Sequence, residues 1–83
     1  MTLFMDVHQK LPDGATAKDV AAAHEADLLV QDKFGVNYVS YWVDEKSGRV
    51  FCLVDAAAAA AAAACHREAH GLTADEIYEV VQG

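Results

Sequence analysis

Residues 65–70, CHREAH, place a thiol, two imidazoles and a carboxylate directly after a run of nine alanines, residues 56–64. His66 and His70 are four residues apart, and on a helix this spacing puts both rings on one face. Two such imidazoles can share one transition metal. A histidine in the last turn of a helix also gains from the helix dipole when it is protonated, without any metal. The spacing alone therefore leaves a ligand pair and a plain helix end both open.

Further donor groups lie elsewhere in the chain. Asp6 and His8 are two residues apart in a predicted strand, and His24 precedes Asp27 by three residues, so that the carboxylate could accept from the ring or coordinate beside it. His24 and Cys52 are each also typical of small or partly buried core residues. Cys65 is more typical of a packed or solvent-facing residue than of a ligand. The candidate metal ligands are therefore His8, His66, His70, Asp6, His24 and Cys52, and no catalytic residue is assigned.

The composition excludes several classes of protein. The formal charge is −7, from 13 acidic and 6 basic residues, so nucleic acid is not an expected partner. No apolar run is long enough to span a membrane, and the N-terminus lacks the pattern of a signal peptide. The two cysteines do not resemble the framework of a secreted disulfide-rich protein. We expect one domain over residues 1–83, in the reducing cytoplasm.

The pattern predicts six elements in the order strand, helix, strand, strand, helix, strand. Alternation favours strands over residues 3–8, 36–43, 49–54 and 75–82. The first helix begins after Thr16, which can form a capping box with Asp19, and ends at Gly35. The second begins after a predicted cap at Asp55 and continues through the alanines to about residue 70. The alanines themselves are interpreted as exposed helix positions.

This order is that of the ferredoxin-like split βαβ fold, an α+β sandwich in which two helices cover one face of a four-stranded antiparallel sheet. In the first helix, Val20, His24 and Leu28 form the predicted core-side stripe. Alternation assigns to the open face of the sheet Phe4, Asp6, His8, Tyr38, Ser40, Trp42 and Cys52. An apolar patch on so small a protein indicates an interface. We therefore expect a homodimer through the open face, or a pocket between the sheet and a partner.

The predicted topology brings distant histidines together. The first strand should end at the same edge of the sheet as the second helix, so that His8 approaches His66 and His70. Trp42 and the carboxylates of residues 75 and 76 are expected at this edge too. Imidazole with carboxylate and water suits nickel, zinc, copper or iron. Metal affinity should fall as the pH drops through the imidazole pKa of about 6.5, because the ligands must be deprotonated.

The sequence also resembles a known family. FMDVH near the start, AAHEADL in the first helix, YWVDEKSGRVFCL over the hairpin and HREAHGLTADEIYEV near the end are similar to a small bacterial family of nickel-binding proteins, largely of unknown function. The resemblance implies a ferredoxin-like fold, a homodimer and bound nickel, with Asp6, His8, His24, Cys52, His66 and His70 at its motif positions. This sequence departs from the family after the third strand. The family there has an acidic-Ala-Pro turn and a helix of mixed polarity, whereas this sequence has a run of alanines.

Three functions follow from these observations. The preferred one is binding of nickel or another transition metal, for sequestration, homeostasis or sensing. The second is a cofactor-free dimeric α+β barrel-type enzyme, oxygenase-like or isomerase-like, acting on a small organic substrate. In it, His8 or His24 would be the general base, and Trp42 and Tyr38 would line the pocket. The third is a plain interaction module whose histidines only cap and pack.

Overall fold

The structure, a computed structural model, describes the whole chain from Met1 to Gly83. It contains four strands and two helices in the predicted order. Their bounds are β1 (Thr2–His8), α1 (Ala17–Phe34), β2 (Asn37–Asp44), β3 (Arg49–Ala56), α2 (Ala59–Ala69) and β4 (Glu76–Val80). The predicted elements are all present, with ends that shift by a few residues.

The four strands form one antiparallel sheet in the order β2-β3-β1-β4. Both helices pack on one face, with contacts between α1 and α2, between α1 and β2 and between α2 and β3. This is the ferredoxin-like α+β fold that the element order predicts. β1 is an inner strand of the sheet. Its last residue, His8, pairs with Val50 near the start of β3.

The ends of α1 follow the predicted chemistry. The Thr16 N–H donates to the Asp19 carboxylate over 2.8 Å, which satisfies a backbone group that the helix leaves free. Gly35 closes the helix with a φ of 66°, and its N–H donates to the carbonyl of Asp32. A left-handed residue at this position is the usual end of a helix and favours glycine.

The predicted cap of α2 is wrong. Asp55 is not a helix cap but a residue of β3, opposite Leu3 of β1 and Asn37 of β2. The two neighbouring strands hold its backbone in the sheet, and β3 continues to Ala56. The N-cap is Ala58, which has no side chain to accept a hydrogen bond. The helix therefore begins without a cap and depends on alanine propensity and packing.

The predicted open face is wrong for Phe4, Asp6, His8, Tyr38 and Cys52 and right for Ser40 and Trp42. Phe4, Tyr38 and Cys52 belong to the buried core on the helix side, with Asp6 beside them. The register of β2 shifts between Tyr38 and Ser40, so that Ser40 pairs with Leu53. Alternation across this bulge fails because one extra residue moves the following side chains to the other face. His8 alternates in step with Phe4 and Asp6 along β1 and shares the helix side, whereas Ser40 and Trp42, beyond the bulge, lie on the uncovered face.

Two further core assignments need correction. Leu28 is 38% exposed rather than buried in the stripe of α1, and Asp27 takes the inward position with 2% exposure. The alanine run is not wholly on the surface, because Ala56 and Ala62 have no exposed area. Small side chains at these positions let α2 lie close to the sheet.

Neither helix has the length and apolarity needed to cross a lipid bilayer.

Replacing Gly35 by alanine should destabilise the protein by about 1 kcal/mol, because an L-residue is strained at a positive φ. An added Cβ would meet no atom within 4 Å, so the loss should come from the backbone alone. Urea unfolding of the two proteins measures the difference. Gly35→Asn is the control and should recover part of the loss, since asparagine tolerates this conformation. Equal stability of wild type and Gly35→Ala would contradict the prediction.

Candidate functional site

A buried histidine held between two carboxylates forms the centre of the site. His66, on α2, is 2% exposed, while Asp6 on β1 is 0% and Asp27 on α1 is 2% exposed. The Nε2 of His66 lies 2.8 Å from Asp6 Oδ2, and its Nδ1 lies 2.8 Å from Asp27 Oδ1. Since each ring nitrogen faces a carboxylate, both can donate only when the ring is an imidazolium. One side chain thus joins three elements of the fold.

Electrostatics favour this charged form. Burial alone would lower the pKa of His66, but the hydrogen bonds and charges of Asp27 and Asp6 outweigh it and raise the pKa to about 9. Burial likewise would raise the pKa of Asp6, but the hydrogen bond from His66 and the proximity of His8 lower it to about 2. The pKa of Asp27 is lowered too, because its bonds to His66 and His70 outweigh burial. The cluster is therefore ionic at neutral pH.

Asp27 also accepts a hydrogen bond from His70, at the end of α2. The Nε2 of His70 lies 3.2 Å from Asp27 Oδ2, and the backbone N–H of Leu72 donates to His70 Nδ1 over 3.0 Å. Because Nδ1 accepts this bond, Nε2 carries the ring hydrogen and donates it to the carboxylate. Coordination of a metal through Nε2 would require the opposite tautomer. The loop at Leu72 therefore holds His70 as a hydrogen-bond donor.

On the other side of His66 lies a group of donors with an unpaired oxygen. Ligand atoms of Asp6, His8, Cys52 and His66 all lie within 4.8 Å of one another. The Oδ1 of Asp6 is buried and has no hydrogen-bond partner, although His8 Nε2 lies 3.4 Å away. Buried polar atoms are rarely left unpaired, because their desolvation costs free energy. Two buried carboxylates against the imidazolium of His66 also leave an excess of negative charge, which favours a cation.

Neutral groups enclose the cluster. Tyr38 donates its hydroxyl hydrogen to the carbonyl of Ala62 over 3.0 Å, and burial raises the pKa of this hydroxyl. Burial raises the pKa of the Cys52 thiol as well, with a further contribution from the charge of Asp6. Burial and Asp27 raise the pKa of Cys65 to about 11. Both cysteines are free and buried, so Cys52 can act as a soft ligand only after a metal displaces its proton.

The structure brings together five of the six predicted ligand residues and leaves one apart. The rings of His8 and His66 have centroids 5.2 Å apart, and those of His66 and His70 are 4.8 Å apart. His24 belongs to neither donor group, and its ring packs against Tyr41. The ring of Trp42 is on the opposite side of the sheet, 50% exposed, so it does not line this site.

Sequence reasoning missed the role of Asp27, which it considered only as a partner of His24. Asp27 instead binds His66 and His70, from a different helix. A signal for this position existed, because Asp27 follows the buried Val20 by seven residues, two turns along the same helix face. An acid at an inward position needs a partner, and the histidines of α2 provide it.

Comparisons with known proteins agree with the fold. A family model described as "Nickel responsive protein SCO4226-like" matches residues 4–80. A solved structure, SCO4226 from Streptomyces coelicolor A3(2), is 38% identical, with a TM-score of 0.87 and coverage of 98% of both chains. No curated protein matches the chain.

The metal-free protein should be most stable between about pH 4 and 6.5. Asp6, whose pKa falls to about 2, contributes stability that is present above its unfolded pKa and is lost as the pH falls through about 2. His66, whose pKa rises to about 9, contributes stability that is present below its unfolded pKa and is lost as the pH rises through about 9. Urea unfolding with a chelator present should show a loss on the order of 2 kcal/mol from pH 6 to pH 9.5.

Nuclear magnetic resonance of the His66 ring provides an independent check on this pH dependence. Its carbon-bound protons should titrate near pH 9. A titration near the unperturbed value of about 6.5, with constant stability from pH 6 to 9, would contradict the ionic arrangement.

Proposed function

We propose that this chain, which belongs to the family of nickel responsive proteins similar to SCO4226, binds a divalent transition metal, with nickel as the expected ion. The ion would lie on the β1 side of His66, held by Asp6 and His8, by His66 once the ion displaces its Nε2 hydrogen, and by Cys52 as a fourth donor. The observation that carries the proposal is the buried, unpaired Oδ1 of Asp6 amid three other ligand atoms.

The donor chemistry fits such an ion. Imidazole, carboxylate and thiolate suit nickel and its neighbours in the first transition series, whereas calcium and magnesium prefer oxygen alone. A divalent cation would also balance the excess of buried carboxylate charge and give Asp6 Oδ1 a partner. The alternative group of Asp27, His66 and His70 is less suitable, because the Leu72 N–H holds His70 in the tautomer that donates from Nε2.

The biological role that we propose is sequestration, homeostasis or sensing of the metal. A donor set buried against both helices and the sheet suits retention of an ion better than turnover of a substrate. We further propose that residues 1–83 act as one domain in the cytoplasm. The two unpaired thiols, Cys52 and Cys65, support a reducing compartment.

Nickel binding should depend on His8 and not on His24. We expect His8→Ala to weaken nickel binding at least about tenfold, since even partners beyond the ligands alter affinity 10–100-fold. His24→Ala should leave the affinity within about twofold, because His24 is outside both donor groups. Isothermal titration calorimetry on protein made without a histidine tag measures both, and zinc, cobalt and copper titrations compare the metals.

A spectroscopic control tests the thiol. Bound nickel should give a thiolate charge-transfer band that disappears in Cys52→Ser and persists in Cys65→Ser, a substitution at another buried cysteine. No heat with nickel at neutral pH, or unchanged affinity in His8→Ala with native thermal stability, would defeat the proposed site.

We also propose that a second copy of the chain covers the uncovered face of the sheet. This face carries Leu3, Met5, Val7, Ser40, Trp42, Phe51, Leu53 and Tyr78, among which Trp42 and Tyr78 are each 50% exposed. No helix covers these side chains, and a protein of this size gains stability by burying more apolar surface. A two-fold axis through the face would pair the same patch on both copies. The proposed homodimer therefore uses the face opposite the metal site.

Trp42→Glu should convert the homodimer to a monomer, because a charge buried in an apolar interface is desolvated without a partner. Sedimentation equilibrium should show the mass halved from twice the chain mass of 8.9 kDa. Leu29→Glu is the matched control, since Leu29 is 86% exposed on α1 and away from this face. A wild-type protein that is monomeric at micromolar concentration would contradict the dimer.

A further inference from the structure

The register of the strands defines a midline on the uncovered face of the sheet. Cys52 pairs with Asp6 and with Tyr41, and Asp6 pairs with Ile77, so these four residues, which point to the helix side, form one row across the sheet. The outward-facing residues on either side of this row are Trp42 and Ser40 on β2, Phe51 and Leu53 on β3, Val7 and Met5 on β1, and Glu76 and Tyr78 on β4. The face that the proposed homodimer would bury is therefore centred on this row, the midline.

Two charged groups without an ion-pair partner lie on this face, at opposite ends of β3. Asp55 and Arg49 point outward, and each is three residues from the midline, roughly 10 Å along the strand. Oδ1 of Asp55 is buried and accepts no hydrogen bond, which costs free energy. Nε of Arg49 donates to the Gln9 side chain over 3.1 Å. Bonds from Ser47 and the charge of Arg49 lower the pKa of Asp44, opposite on β2, but the two side chains form no ion pair.

A two-fold axis between two stacked sheets can run along the strands or across them. Stacked sheets lie roughly 10 Å apart, with strand directions within about 30° of each other. An axis along the strands, through the centre of the sheet between β3 and β1, keeps each residue at its own level. Asp55 would then face the partner's Leu3, because Asp55 and Leu3 are at the same level. This arrangement would bury the carboxylate further without giving it a donor, which is unfavourable.

An axis across the strands, along the midline, instead places each strand on its own copy in the opposite direction. Asp55 then faces the partner's Arg49, and Arg49 faces the partner's Asp55, because the two residues are equally far from the midline. Trp42 faces the partner's Ser40, so that a large side chain meets a small one. The face is therefore complementary to itself, in charge and in shape, about this axis and not about the other.

We propose that the homodimer, on whose existence this inference rests, has its two-fold axis along the midline, with two symmetric ion pairs between Asp55 of one copy and Arg49 of the other. Each pair gives the buried Oδ1 of Asp55 the donor that its own chain lacks. The planar guanidinium of arginine binds a carboxylate in a defined geometry, so the two pairs would fix the orientation of the copies. The apolar residues between them would supply most of the affinity.

Charge reversal on the untagged chain tests this arrangement. Asp55→Arg and Arg49→Asp should each weaken dimerisation at least about tenfold, because each variant brings like charges together at both ends of the interface. The two variants mixed in equal amounts should form a heterodimer with an affinity within about threefold of the wild type, since both contacts then join opposite charges. Sedimentation equilibrium measures the affinities, and native mass spectrometry identifies the mixed dimer.

Asp32→Arg is the matched control, because Asp32 is an exposed acid of α1, on the covered side of the sheet. It should dimerise like the wild type, and thermal unfolding checks that each variant folds. A measurement on the wild type needs no substitution. In a mixture of isotope-labelled and unlabelled chains, nuclear Overhauser effects between copies should join the Leu53 methyl groups to the Phe51 ring. An axis along the strands would join them to Met5 instead.

The possible failures are distinguishable. A wild-type dimer that both charge-reversal variants leave unchanged, the absence of a mixed dimer, or contacts between copies from Leu53 to Met5 would overturn the arrangement and leave the homodimer in place. A monomeric wild type would overturn the homodimer and the arrangement together.

Discussion

The ionic arrangement of Asp6, His66 and Asp27 is the interaction on which the rest of the molecule depends. It joins the central strand to both helices in the interior, where most small proteins have only aliphatic side chains. The aliphatic core around it is modest and consists largely of valine and alanine. Such a core only weakly constrains how the strand and the helices lie relative to one another. Two hydrogen bonds to one planar ring, by contrast, require a particular distance and angle between these elements.

This arrangement has a cost as well as a benefit. Removing charges from water is unfavourable, and a buried ion pair is often no more stable than apolar side chains of the same shape. The ionic arrangement lies at the end of the sheet, next to a cavity. Its presence there is therefore better explained by a role in a functional site than by a contribution to stability. The proposed cation would satisfy both the excess of carboxylate charge and the unpaired oxygen of Asp6.

Sequence periodicity predicted the fold well and the faces of the sheet poorly. The order of elements, the capping box at Thr16 and the glycine end at Gly35 depend on local chemistry, which a short stretch of residues contains. The faces depend on which strands lose register and on which side the helices pack. A bulge in β2 and two carboxylates on the inner side are not visible in an alternation pattern, because a buried acid looks polar and therefore exposed. The approach of His8 to α2 could be predicted from the order of the elements, whereas the role of Asp27 depended on recognising that it shares the buried helix face of Val20.

At the bulge in β2, the alternation of side chains between the two faces of the sheet shifts by one residue. Before it, Tyr38 faces the helices; after it, Tyr41 faces them, three positions later and not two or four. If the same residues alternated regularly, without the bulge, Ser40 would face the helices and Tyr41 would face the outer surface. The irregularity at this point of the strand therefore determines which aromatic ring faces the interior and which one faces the uncovered side of the sheet.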